Sequence, residues 1–174
     1  LELLREIVPG LARVAAIRAL GEVSDDLWAE VERGAQAMSL NLTTIGVRRS
    51  EDFDGALAAI LVARPGALFI AGQSLITAAQ QRICDFALNH RIPAIYAVKE
   101  WANTGLLMTY RPNIAQNYRR AAVFVDKILR GANPAELPME QPMQYDMVVN
   151  LRTARAIGVA IPQSVLLRAD ELIE

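Results

Sequence analysis

Ile92-Pro-Ala-Ile-Tyr96, Gly105-Leu-Leu-Met-Thr-Tyr-Arg-Pro-Asn113 and a helix that closes with Val125-Asp-Lys-Ile-Leu-Arg-Gly131 follow one another in the C-terminal half of the chain. They read as a short buried strand, a crossing strand and a long amphipathic helix. Met143-Gln-Tyr-Asp-Met-Val-Val-Asn150 then returns as a further strand, alternating Tyr145, Met147 and Val149 against Gln144, Asp146 and Val148. A short helix around Thr153 to Ile157 stops at Gly158, and Ile161 to Glu174 is expected to pack back as extended chain and a last helical turn.

Upstream of Ile92 the pattern is regular. Arg13 to Arg18, Asn41 to Val47 and Gly66 to Gly72 are short apolar or alternating runs bounded by turn residues, which is the signature of strands. Helical patterns separate them. Ser24-Asp-Asp caps the first, which runs through about Met38 with Leu27, Val31 and Met38 facing inward. The second begins at Ser50-Glu-Asp-Phe-Asp and carries Phe53, Leu57, Ile60 and Leu61 until Arg64-Pro-Gly66, where proline cannot continue the ladder. A third spans about Ser74 to Asn89. Four strands alternating with three helices predict right-handed βαβ units, hence an α/β fold with a parallel sheet and helices on both faces.

Composition agrees. Hydrophobic residues make up 53% of 174 and aromatics 6%, so the core must be aliphatic, as buried parallel strands require. A formal net charge of -1 with signs interspersed gives no basic field for nucleic acid or anionic lipid. Cys84, alone, falls between Ile83 and Phe86 as a buried inert thiol, and His90, also alone, sits at a helix end near terminal carbonyls; neither supplies a metal cluster. No cofactor motif, nucleophile elbow or phosphate loop is present, and the sequence gives no positive sign of catalysis. No apolar run approaches the ~20 residues that span a bilayer. Leu1 to Val8 is already in helical phase without an initiator Met or a capping residue, which reads as a chain beginning inside a helix, any export signal lying upstream or having been removed.

At Leu1 to Gly10, Ile92 to Tyr96, Gly105 to Asn113 and, most specifically, Ile161 to Glu174, the chain resembles the ABC-transporter substrate-binding proteins whose best-known members bind tryptophan and other aromatic amino acids. The likeness runs through the whole chain in order. It implies a type I periplasmic-binding fold, in which two Rossmann-like lobes close over a small molecule and dock on a membrane permease, outside the cytoplasm. It further implies that residues 1–98 and 143–174 form the second lobe, and that 99–142, with Leu106 to Tyr110 and the helix from Asn113, belong to the first. That helix shows Ile114, Tyr118, Ala121, Ala122, Val125, Ile128 and Leu129 on one wide stripe. With no lobe to cover it, the stripe is expected to find a second copy of the chain, giving a homodimer.

In open α/β sheets ligands sit outside the carboxyl ends of the strands. The loop after the first strand offers Arg18, Glu22 and Ser24; the loop after the third, Gly72, Gln73 and Ser74; the loop after the fourth, Tyr96, Lys99, Glu100 and Trp101. Gln73-Ser74 opens a helix whose free N–H groups favour an anion, or Ser74 merely caps it. Trp101 stacks on a ligand ring or anchors the hinge. Tyr96 packs by default or reaches the cleft with its hydroxyl, Tyr110 and Arg111 are hinge candidates, and Arg18 pairs with a ligand carboxylate or with Asp25 or Glu22. The function so indicated is capture of a small organic solute, such as an aromatic or related amino acid, for an ABC importer. The rivals are a ligand-sensing domain of a signalling protein and a small flavodoxin-like enzyme, the last by analogy of fold alone.

Overall fold

The computed structural model describes residues 1–174. Its centre is a seven-stranded sheet of order β2-β1-β3-β4-β5-β6-β7, from β1 (Arg13–Ala19), β2 (Asn41–Val47), β3 (Ala67–Ala71), β4 (Ala94–Tyr96), β5 (Met108–Pro112), β6 (Tyr145–Asn150) and β7 (Glu171–Ile173). The first five strands are mutually parallel. β6 runs antiparallel to β5, and β7 parallel to β6. This is the mostly parallel α/β sheet that the alternation predicts.

The crossovers are α2 (Asp25–Ala37), α3 (Asp52–Ala63), the broken pair α4 (Ser74–Ala78) and α5 (Gln80–Asn89), and α6 (Glu100–Asn103). Successive strand residues point to opposite faces, so two cores form. Ala15, Ile17, Leu68, Phe53, Ile60, Ile83 and Trp101 pack on one face beneath α3, α5 and α6. Val14, Ala67, Ile95, Met108 and Met147 pack on the other with Leu4 and Ile7 of α1 (Glu2–Ile7), Ala35 of α2, Ala154 and Ile157 of α8 (Leu151–Ile157), and Val165 of α9 (Gln163–Leu166). Gly158 ends α8 with φ +78, the left-handed cap at which glycine avoids a Cβ penalty.

Four expectations change. The inward face of α2 is Trp28 and Ala35, whereas Leu27 is 59% exposed. The Ser24 cap sets the phase of the helix, and the Trp28 ring meets Phe69 of β3, which fixes the rotation. The helix expected over Ser74 to Asn89 breaks at Ala79, whose N–H bonds back three residues to Ile76 in a tightened turn. In the tail the helical turn precedes the extended piece, because Glu171 to Ile173 add to β6 as an edge strand.

The fourth correction concerns the boundary of the departing segment. β5 lies inside this sheet, hydrogen-bonded to β4 on one side and β6 on the other, with Met108 and Thr109 buried. Leu106 to Tyr110 are therefore integral to the sheet, and the chain leaves it only after Pro112. What leaves is α7 (Ile114–Leu129), capped by the Asn113 side chain, together with the segment that leads back to Tyr145. No residue of α7 is buried.

Candidate functional site

Because β1 to β5 are parallel, their carboxyl ends gather on one edge, and the antiparallel β6 and its neighbour β7 begin there. Residues 18–24, 72–75, 96–101, 110–113, 145–146 and 171 therefore share that edge. The edge falls into a committed half and an open half.

On the committed half, Arg18 is only 8% exposed. Its guanidinium donates to the Val23 carbonyl at 2.8 Å, pairs with Asp25 and lies 5.3 Å over the Trp28 ring. Of the two pairings the sequence allows, with a ligand or with its own loop, the structure has the second. Ser24 accepts from the Leu27 N–H at 3.3 Å as the cap of α2. The helix start at Gln73-Ser74 is filled from within: Glu22 accepts from the Gln73 N–H at 2.6 Å and the Leu75 N–H at 3.0 Å. The anion expected there is the protein's own carboxylate. Gln73 and Ser74 stay exposed at the loop surface.

Glycine is required at position 72. Its φ is +147, and a Cβ would come within 2.6 Å of side chains of both Ile76 and Ala19. Tyr96, buried, donates its hydroxyl to the Gly72 carbonyl at 2.9 Å, and burial raises its pKa. Trp101 is 0% exposed, edge-on to Tyr96 with ring centroids 4.5 Å apart, so it offers no face to a solute. Its bulk seats α6 on the sheet.

The open half begins at Lys99, whose Nζ lies 2.7 Å from Glu171, bridging the loop after β4 to β7. That hydrogen bond raises its pKa. Glu100 is exposed in the first turn of α6. Tyr110 stacks on Tyr145 across the β5–β6 pair, centroids 5.1 Å apart and planes 7° off parallel, and the two rings are 41% and 43% exposed. Both line an apolar groove of about 780 Å³ that runs over the sheet between α1 and α2, floored by Phe69, Ile95 and Tyr96. Of the residues singled out in the sequence, Tyr96 and Tyr110 meet on this groove; Arg18, Ser24, Gln73 and Ser74 do not line it. Tyr145 was missed by sequence reasoning. Its signal was its place at the start of the returning strand, legible only with the register.

Next to Tyr110, Arg111 stands opposite Asp146 in the strand register. Asp146 accepts from Asn113 Nδ2 at 2.7 Å, tying together the two points where the α7 segment departs and returns. No group of three His, Cys, Asp or Glu is placed to hold a metal ion. No helix is long and apolar enough to cross a membrane.

A mostly parallel sheet with helices on both faces and an open carboxyl edge defines the doubly wound α/β class. Within it, the sequence model described as ABC transporter substrate binding protein matches residues 1–173, and the chain belongs to that family. A search of curated protein sequences finds no match. Among solved structures, a conserved domain protein from Vibrio cholerae O1 biovar El Tor superposes with a TM-score of 0.83 at 23% identity, covering 98% of this chain and 58% of that one. An ABC domain from Streptococcus pneumoniae in complex with L-Trp gives 0.80 at 19% identity, covering 99% and 60%. The ligand-free, open CD0873, a substrate-binding protein with adhesive properties from Clostridium difficile, gives 0.79 at 18%, covering 99% and 58%. At these identities the likeness is one of fold. The chain spans about three-fifths of the length of each of them.

Proposed function

We propose that the chain is one lobe of the solute-binding component of an ABC importer, acting outside the cytoplasm and delivering its solute to a membrane permease. The observation that carries this reading is the family match over residues 1–173. In the reading, residues 1–112 and 145–174 form the lobe, and 113–144 are lent to a second lobe that closes over the carboxyl edge. Closure works by population shift: a solute touching both lobes stabilises the closed arrangement in proportion to its contacts there, and the permease recognises the closed surface.

The solute proposed is a small organic molecule with a planar ring, such as an aromatic or related amino acid. Two features favour it: the stacked, half-exposed Tyr110–Tyr145 pair beside the groove, and the L-Trp held by the streptococcal structure of the same fold. When the 174-residue chain stands alone, the exposed Ile114, Tyr118, Val125 and Leu129 of α7 have no cover, and a second copy supplies it. Leaving such side chains wet forfeits ~1.5 to 3 kcal/mol each.

The test is calorimetry of the two-lobed protein against a panel of amino acids, with light scattering of the 174-residue chain. Saturable binding of an aromatic amino acid is expected, with a dimer of the isolated chain that Leu129→Lys with Tyr118→Glu makes monomeric. A two-lobed protein that binds no member of the panel overturns the solute class, and a wild-type monomer overturns the pairing.

A further inference from the structure

We propose that Arg111 and Asp146 together read a zwitterion, Arg111 taking the carboxylate of the solute and Asp146 its ammonium group. The inference rests on the solute-binding reading above and names the chemistry of its site. It starts from an imbalance among the arginines. Only Arg18 and Arg111 are not exposed. Arg18 has the Val23 carbonyl, Asp25 and the Trp28 ring. Arg111 makes no side-chain hydrogen bond or ion pair, and its Nε is buried without an acceptor. A guanidinium so placed costs free energy until an anion reaches it, and a carboxylate matches its fork of parallel donors.

The neighbours say what arrives with that anion. Arg111 and Asp146 are cross-strand partners of opposite charge, yet no nitrogen of one lies within 4.0 Å of an oxygen of the other. Asp146 spends one oxygen on Asn113 at 2.7 Å and keeps the other without a protein partner. Lys99, whose surroundings include both Arg111 and Asp146, is occupied by Glu171 at 2.7 Å and leaves no free cation to compete. A separated pair of opposite charges, each with unused bonding capacity, fits a ligand that carries both charged groups on one carbon. Tyr110 and Tyr145 precede them on the same two strand ends, and by alternation along each strand the rings lie on the groove face while Arg111 and Asp146 lie on the opposite one, so a solute that meets both pairs sits across the carboxyl edge.

Two experiments test this. In the 174-residue chain, sodium acetate is titrated at constant ionic strength while arginine Nε–H resonances are followed by NMR, with chloride as control. A saturable shift at Arg111, absent at Arg18 and not reproduced by chloride, is expected; a shift that is linear and equal at the exposed arginines overturns the carboxylate role, and so does an equal shift with chloride. In the two-lobed protein, the probes are L-tryptophan, L-tryptophanamide, which lacks the carboxylate charge, and indole-3-propionate, which lacks the ammonium. L-Tryptophan is expected to bind at least tenfold more tightly than either. Arg111→Gln should erase the preference over the amide, Arg111→Lys should restore part of it, and Asp146→Asn should erase the preference over the propionate. If all three probes bind equally, or if the variants weaken all three alike, the zwitterion reading fails although solute binding stands. If acetate saturates Arg111 but none of the three binds, the solute class fails and the carboxylate role of Arg111 stands.

Discussion

Replacing Glu22 by Gln probes whether the helix start after β3 is closed by the protein itself. The wild-type carboxylate receives two backbone N–H groups, from Gln73 at 2.6 Å and Leu75 at 3.0 Å. Hydrogen bonds to a charged group contribute about 1.5 to 3 kcal/mol each, and partial exposure of Glu22 places these toward the lower end. Gln has the same shape but a single acceptor oxygen, so one N–H keeps a neutral bond and the other faces an NH₂ donor. The expected loss is therefore about 2 kcal/mol. For a domain of this size a loss of that order lowers Tm by roughly 4 to 8 °C. Urea unfolding followed by circular dichroism should show a lower midpoint with an unchanged slope, the mark of altered stability rather than altered compactness. A Glu22→Gln chain within about 0.5 kcal/mol of wild type would refute the reasoning, because the two contacts would then be incidental and the amides free for a solute anion.

Tyr96→Phe removes the hydroxyl that bonds the Gly72 carbonyl; a loss of about 1 to 2 kcal/mol is expected in chemical denaturation, with solute affinity little changed in calorimetry. Asp52 accepts from the Arg48 N–H at 2.7 Å and the Arg49 N–H at 3.1 Å, and these backbone bonds, Arg48 first, hold its pKa below the ordinary 3.8. A pKa lowered in the folded state contributes stability that is present above 3.8 and lost as pH falls through the folded value; Asp52→Asn should flatten the acid limb of a stability-versus-pH curve below about pH 4 and lower the plateau above it. Burial, ahead of the neighbouring Asp85 charge, pushes the Cys84 thiol up to about 12, so a thiol reagent at pH 8 should label the chain only after unfolding.

The sheet was legible because its evidence is local. Alternation of short apolar runs with capped helical stretches places β1 to β4, with Pro65 stopping α3, and Gly158 marks the end of α8 further on. What the one-dimensional pattern could not resolve is rotation and partnership. Leu27 and Trp28 are neighbours on a helix, and either fits the apolar stripe until Phe69 settles which one turns inward. Trp101 and Tyr96 carry chemistry suited to a ligand, but side-chain type says nothing of depth, and both are core. Glu22 lies 51 residues from Gln73, so its capping role depends on β1 and β3 being adjacent. The strand at Met108 was displaced in the reading for the same reason: a segment that leads toward another lobe and a segment that pairs in this sheet look alike until the partner strand is known.

These commitments sort the carboxyl edge by what a solute would have to displace. On the side of β1 and β3, every charged group near the loops is engaged: Arg18 by Asp25 and Val23, Glu22 by two amides, while Gly72 and Tyr96 fix the turn between them. A ligand gains little there, since each contact made would break one already present and the exchange is near balance. On the side of β5 and β6 the balance differs, because the Tyr110–Tyr145 rings are half exposed and the Arg111 Nε has no acceptor. New contacts at these groups replace only water or nothing. In the proposed solute-binding reading, recognition concentrates where the chain departs toward α7 and returns, and the joint from Asn113 to Asp146, about which the α7 segment would move, lies among the same residues. In that reading coupling of binding to closure follows from the overlap: a ligand bridging Arg111 and Asp146 would change the forces on the joint without any intervening relay, so Asn113→Ala should alter the closing equilibrium and solute affinity together while leaving the stability contributed by Glu22 and Tyr96 intact. Small-angle scattering of the two-lobed protein with and without solute reads the first, calorimetry the second; affinity lost with an unchanged closing transition would separate the joint from the site.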